Sequence, residues 1–312
     1  MAAMPTPAST AAPTRLARDR WHAAAAAHAG AVEALTAGHR ARRAKGEQHP
    51  VEDFLFTYYR HSPAQLARWH PGVGVVLEDA ADAPHAGWRH YEVVGDDVRV
   101  DVPGFLARRD RTVRHVVELV AATLSRPAQL GCLGMHEWAM VYRLPDGARR
   151  HEQLPLRLGR AATDAVVEAH PLRCTHHDAF RFFTADAVGR SPLRPRREDQ
   201  VALEQPGCLH AGMDVYKWCH KLTPLVPSDL TLDAFRLAGE IRALDMQASP
   251  HDVSGLGLAP VPVETAAGRA EYVARQRDFT RRSNVLRRRL LDVLADVGMH
   301  PVAGRDPQPA TG

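Results

Sequence analysis

The chemistry of this chain concentrates between Gln205 and Leu222. Pro206-Gly207 breaks regular structure at the start of this stretch and Pro224 breaks it just past the end, leaving room for about four helical turns. His210, Asp214, Lys217 and Lys221 fall at i, i+4, i+7 and i+11, one polar stripe on a helix. Ala211, Val215, Trp218 and Leu222 form an apolar stripe of the same pitch beside it. The chain has three lysines against thirty-seven arginines, and two of the three sit on this face. An ammonium is compact and shifts its pKa readily when desolvated, so Lys217 is a candidate nucleophilic amine. Asp214 beside it can orient water or stabilise a sugar cation. The bland alternative is a solvated stripe with an Asp214–Lys217 pair worth roughly a few tenths of a kcal/mol.

Three further segments set ionisable groups among aromatics. His136-Glu137-Trp138 opens like the zinc motif H-E-x-x-H, but Met140 stands where the second histidine belongs, so the motif is absent. His176-His177-Asp178 and Arg181 lie among Phe180, Phe182 and Phe183, a density of polar groups that suits a pocket wall or a buried network. Glu52 and Asp53 precede the aromatic run to Tyr59.

If these segments converge, two chemistries are open. In the first, Asp214 or Glu137 is the catalytic carboxylate, Lys217 an amine nucleophile and His177 a proton shuttle. His136, His176, Asp178, Arg181 and His210 then line the substrate, and Trp138, Phe180 and Trp218 offer flat faces to a planar base. In the second, His136, His176, His210 and Asp214 hold iron or zinc. No segment carries a strong ligand pair such as H-x-x-x-H, so the expectation is no metal and no cofactor, with iron or zinc as the alternative. Any one histidine is more simply a satisfied core group; only joint placement makes a site. The loop Gly189–Glu198 brings Arg194, Arg196 and Arg197 together, either as an exposed linker or as a phosphate contact.

Several classes are excluded. There is no P-loop, no strand-linked G-x-G-x-x-G and no G-x-S-x-G, which argues against nucleoside triphosphate hydrolysis, NAD chemistry and serine-hydrolase activity. A net charge of +4 permits a polyanionic partner without demanding one. Cys132, Cys174, Cys208 and Cys219 have neither C-x-x-C nor finger spacing and read as reduced thiols. No apolar run approaches a bilayer span, and no signal peptide is evident, so a cytoplasmic protein without a membrane partner is expected.

The elements that must position these groups come from periodicity. Residues 1–15 read as a disordered leader, 16–47 as a helical arm stopped at Gly46, 48–299 as the main globular domain and 300–312 as a flexible tail. Short β-branched runs at Val73–Leu77, Tyr91–Val94 and Val98–Val102 predict a small antiparallel element, and Leu154–Leu158 a further strand. Helices are expected over Thr112–Ser125, from Ser228 to about Ala248 and from Ala267 to Val297, with Ala161–Glu168 ambiguous. The fold class is α+β, predominantly helical.

Six blocks carry a resemblance: His49-Pro-Val-Glu-Asp-Phe-Leu-Phe-Thr-Tyr-Tyr, His136-Glu-Trp-Ala-Met-Val-Tyr-Arg, Pro155-Leu-Arg-Leu, Asp178-Ala-Phe-Arg-Phe-Phe-Thr, Gln205-Pro-Gly-Cys-Leu-His-Ala-Gly-Met-Asp and Leu244-Asp-Met-Gln-Ala-Ser-Pro. From about residue 30 to 297 the chain resembles a bacterial, actinobacterial-type family labelled 3-methyladenine DNA glycosylase. The resemblance implies hydrolysis of the N-glycosidic bond of alkylated purines in duplex DNA, in base excision repair. The Gly-rich hairpin of helix-hairpin-helix glycosylases is missing. An alkylated purine is already cationic, so the enzyme needs mainly an aromatic slot, a carboxylate near the sugar and basic groups on the phosphates. The rival readings are a metal- or Lys-dependent enzyme on a small molecule and a non-catalytic nucleic-acid-binding protein.

Overall fold

The computed structural model describes residues 12–144 and 154–302. In chain order these form β1 (Thr14–Leu16), α1 (Arg18–Ala44), α2 (Phe54–Tyr59), α3 (Pro63–Leu66), β2 (Val75–Leu77), β3 (Tyr91–Val94), β4 (Asp97–Val100), α4 (Val102–Ser125) and α5 (Met135–Ala139). Then come α6 (Gly159–Ala169), α7 (His177–Phe180), α8 (Ala185–Val188), α9 (Gln200–Leu203), α10 (Leu209–Lys221), α11 (Ser228–Gln247) and α12 (Ala266–Ala295). The class is predominantly helical α+β, as the periodicity predicts. Two compact units are present. Of the described residues, 12–121, 215–236 and 285–302 make up the first, and 122–144, 154–214 and 237–284 the second.

The sheet belongs to the first unit, in the order β1-β2-β4-β3. β3 and β4 form a hairpin, β2 pairs antiparallel with β4, and β1 adds parallel to β2 in the register Thr14↔Val75. The sheet is therefore mixed, not purely antiparallel, and β1 takes in Thr14 and Arg15, which composition assigns to the leader. A three-residue strand carries too little β pattern to be read from sequence. Leu77 and Val98 turn inward and pack with Trp21, Ala80 and Ala83, while Arg99, outside, pairs with Glu92. Trp21 buries its ring and donates Nε1–H to the Glu78 carbonyl at 2.9 Å, so its one polar atom is satisfied. Gly46, at φ 72, ends α1 as expected.

In the second unit, Leu154–Leu158 forms no strand: Leu156 makes one isolated bridge to His251. The ambiguous run at Ala161–Glu168 is helix α6. No described helix is long and apolar enough to cross a membrane. Residues 1–11 of the expected leader and 303–312 of the expected tail lie outside the described residues. All four cysteines are free thiols.

The first unit buries several histidines in neutral form. Burial pushes His61 down to about 4 and His70 and His220 down to about 3. In the unfolded chain each ring protonates near 6.5, so below that pH the unfolded state binds more protons. The contribution of these three rings to stability is expected to be complete above about pH 7 and to fall as pH drops from about 6.5 toward about 4, by at most about 1.4 kcal/mol per ring per pH unit. Urea unfolding across this range checks the expectation; an unchanged midpoint between about pH 6.5 and 5 would contradict it.

Candidate functional site

Three features of the second unit bring buried polar groups together. Leu133 (φ 49) and Gly134 (φ 69) are both left-handed, and they turn the chain into α5, which carries His136 and Glu137. The non-glycine member costs roughly 1–2 kcal/mol. Gly207 precedes α10, and a Cβ there would lie 2.5 Å from the Gln129 carbonyl oxygen. Gln205 ties this turn down by accepting from Gln129 N–H at 2.8 Å and Gly207 N–H at 2.7 Å. One turn into α10, a Cβ on Gly212 would stand 3.0 Å from Ile241 Cδ1, so glycine lets α11 approach closely. His210 on α10 and Asp245 on α11 are thereby drawn toward His136.

The ligand-capable atoms of His136, His210 and Asp245 lie within 4.8 Å of one another, all buried. His136 Nε2 is 2.9 Å from Asp245 Oδ1. Yet neither atom has a partner in hydrogen-bond geometry. Their contact is with each other, as a buried ion pair. Asp245 Oδ2 is engaged elsewhere: Arg242 Nη1 donates to it at 2.8 Å and to Glu137 Oε1 at 2.9 Å. The guanidinium thus holds two carboxylates in place and leaves Oδ1 facing the histidines.

This packing sets the electrostatics. Burial alone would keep His136 neutral, but the Asp245 charge and contact, with Cys132 adding, lift its pKa well above the usual range. Burial likewise opposes charge on Asp245, and His136 with Arg242 overcomes it, holding the carboxyl well below the ordinary range. Burial and the neighbouring His136 keep His210 neutral.

A second trio, His176, Glu204 and Asp214, has ligand-capable atoms equally close, and its rings adjoin the first: His176 and His210 stack at 5.2 Å. Its hydrogen bonds differ, however. His176 Nδ1 accepts the Ala179 N–H at 3.3 Å, so the proton of the neutral ring sits on Nε2. That N–H points to Asp214 Oδ2 at 3.3 Å, with Glu204 Oε1 3.5 Å away. Gln200 Nε2 donates to Glu204 Oε1 at 2.5 Å. This trio is a satisfied network in which His176 is a donor, and a donor nitrogen is not free to bind a metal ion.

Of the residues singled out in the sequence, His136, Glu137, His176, His210 and Asp214 lie in this buried cluster. The others lie elsewhere. Lys217 belongs to the first unit and holds its ammonium 4.5 Å from the Trp218 ring centre, with Lys221 at 5.4 Å. Both ammonium groups therefore lie near one tryptophan, a contact that arginine could equally make. Trp138 is fully buried and donates Nε1–H to the Ala248 carbonyl at 2.9 Å, and Trp218 is 7% exposed. Phe180 packs on Phe183. Asp178 and Arg181 pair with each other at 2.7 Å, Arg181 being exposed, and the ring of the neighbouring His177 lies 5.9 Å from that of His176. Arg194, Arg196 and Arg197 are all exposed, with Arg196 against Glu198. In the first unit, Asp53 accepts from Arg42 and contacts His39, a pairing that ties α1 to the start of α2, and Arg42 also pairs with Glu52.

Sequence reasoning misses Asp245, Arg242 and Glu204. The signal for the first two is a charged i,i+3 pair beside the apolar stripe Leu237, Ile241 and Leu244 of α11. Glu204 gives none.

Two imidazoles and one carboxylate oxygen converging in a buried site are the donor types that can hold a cation. Donors at about 2.0–2.2 Å from an ion lie about 3–4 Å apart; the trio's atoms lie within 4.8 Å of one another, His136 Nε2 and Asp245 Oδ1 at 2.9 Å. Arg242→Ala is expected to lower unfolding free energy by about 3–5 kcal/mol, because Asp245 and Glu137 are left buried and unpaired. Denaturant titration measures this, and a loss under about 1 kcal/mol would mean that the guanidinium does not hold the cluster.

No family model matches the chain, and no curated protein or solved structure is similar enough to count as a relative.

Proposed function

We propose that the protein is a metal-dependent enzyme whose centre is the trio His136, His210 and Asp245, with iron or zinc as the ion. One observation carries this reading: the buried ligand atoms of His136, His210 and Asp245 lie within 4.8 Å of one another, with His136 Nε2 2.9 Å from Asp245 Oδ1. A proton shared by a buried imidazole and carboxylate occupies a place that a metal ion beside a third donor can take. Two histidines and one carboxylate leave coordination positions open, the arrangement of catalytic rather than structural sites. An ion held there supplies Lewis acidity to a water or a substrate oxygen. Arg242 fixes Asp245 from behind, the outer-shell role that keeps a ligating carboxylate in one orientation.

The measurement is metal content. Protein purified without chelator is expected to carry about one equivalent of iron or zinc. His136→Ala, His210→Ala and Asp245→Ala lose most of it while keeping their circular dichroism, and His176→Ala retains it. Metal added back to chelated protein raises the unfolding temperature of the wild type and not of the three variants. Folded wild-type protein that takes up neither metal sinks the proposal.

A second reading, N-glycosidic hydrolysis of alkylated adenine in duplex DNA, draws on the resemblance and on Asp214. This carboxylate is 1% exposed and faces the His176 ring nitrogen. A buried carboxylate with a histidine behind it suits orienting water or steadying an oxocarbenium-like sugar. It predicts abasic sites in methylated duplex DNA, formed equally by metal-free protein and lost in a folded Asp214→Asn variant. Methylated DNA left intact by folded wild-type protein excludes it.

A further inference from the structure

The first unit contains a cavity of about 550 Å³ that neither reading uses. Four arginines line it: Arg68 just past α3, Arg89 before β3, and Arg108 and Arg109 on the second turn of α4. Lys221, at the end of α10, adds a fifth cation, and no acidic side chain is among the lining residues.

What sets these arginines apart is that they face one cavity together without a carboxylate, where many others are paired. Arg15, Arg42, Arg99, Arg114, Arg282 and Arg289, among others, are each matched to a carboxylate at 2.6–2.9 Å. Among the described residues, no carboxylate lies within ion-pair distance of Arg68, Arg89, Arg108 or Arg109. Arg109 donates to the Lys221 carbonyl at 3.0 Å, and Arg68 lies over Trp88 at 5.4 Å. Like charges gathered around a concave wall repel one another, an arrangement that an anion resolves. Their field is felt nearby: burial lowers the His90 pKa, and Arg89, Arg109 and Arg108 lower it further.

Histidines complete the lining. His61 and His220 stack at 4.3 Å, and the buried Nε2 of His220 has no hydrogen-bond partner. His70 meets the Tyr91 hydroxyl at 2.9 Å. Neutral imidazoles present N–H donors without adding repulsion, and guanidinium forks match phosphate oxygens. The cavity is larger than a bare phosphate needs and lies within the about 300–1,000 Å³ of small-molecule pockets.

We infer that this cavity binds a phosphorylated small molecule of mononucleotide size, held through its phosphate by Arg68, Arg89, Arg108 and Arg109. The inference stands on the first unit alone and is independent of the metal centre and of DNA cleavage.

Calorimetric titration of the full-length protein with adenosine monophosphate, adenosine, inorganic phosphate and a short single-stranded oligonucleotide tests it. The monophosphate is expected to bind at least about 10-fold more tightly than adenosine, and inorganic phosphate to compete with it. Arg89→Glu combined with Arg108→Glu, both exposed positions, is expected to weaken binding at least about 10-fold while leaving the unfolding midpoint unchanged. Adenosine binding as tightly as its monophosphate, or the charge-reversed protein binding as tightly as wild type, overturns the inference. So does an oligonucleotide that binds where the mononucleotide does not, since the cavity would then be a cradle for nucleic-acid backbone.

Discussion

The second unit depends on how one carboxylate is shared. Asp245 gives one oxygen to Arg242 and turns the other toward His136, with no exposure to water. A bare carboxylate in that position would be unstable in its charged form. Arg242 makes the charge tolerable and also binds Glu137, so α5 and α11 are joined through one guanidinium. The imidazole of His136 then faces a fixed negative charge and has affinity for a cation, either a proton or a metal ion. The backbone that permits this is unusual in the same places: left-handed Leu133 and Gly134 before α5, and glycines at 207 and 212 where α10 is seated.

Two trios of similar composition have different chemistry because of single hydrogen bonds. Both offer histidine and carboxylate atoms within the same short span. In one, the Ala179 N–H occupies His176 Nδ1 and makes Nε2 a donor to Asp214. In the other, His136 Nε2 and Asp245 Oδ1 pair at 2.9 Å, and Asp245 lifts the pKa of the ring. The first trio holds its proton as a donor to Asp214; the second holds one between a cationic ring and a carboxylate. Composition alone gives them equal standing; donor and acceptor roles separate them.

Much of the helical framework was legible in the sequence. The apolar stripe of α10, the N-terminal Ser228 of α11 and the stop at Gly46 were all visible in residue pattern. The site was partly legible: His136, Glu137, His176, His210 and Asp214 do share one buried cluster. Asp245 was not, because an acid beside an apolar stripe reads as the edge of a solvated face unless its burial is known. Lys217 drew attention by its rarity, yet rarity reports a constraint without saying which; here the ammonium lies on Trp218. Trp138 looked like a stacking surface and is a core residue with its N–H bonded to backbone. β1 went unread because three residues of strand gain their partner from β2, some sixty positions away.

Arginine shows the same limit from another side. With thirty-seven of them, the chain's composition gives none a role. The basic run Arg194, Arg196 and Arg197 is conspicuous in sequence and lies on an exposed loop. Arg68, Arg89, Arg108 and Arg109 are scattered over forty residues and are inconspicuous, yet the fold sets them around one cavity without acids. A guanidinium matched to a carboxylate has its charge answered within the chain, and removing it disturbs the fold. One that lines a cavity with its charge unanswered adds little to stability and leaves an electrostatic demand for something outside the chain. In an arginine-rich protein, what the fold gathers unanswered around one concavity therefore points to recognition better than clustering along the sequence does.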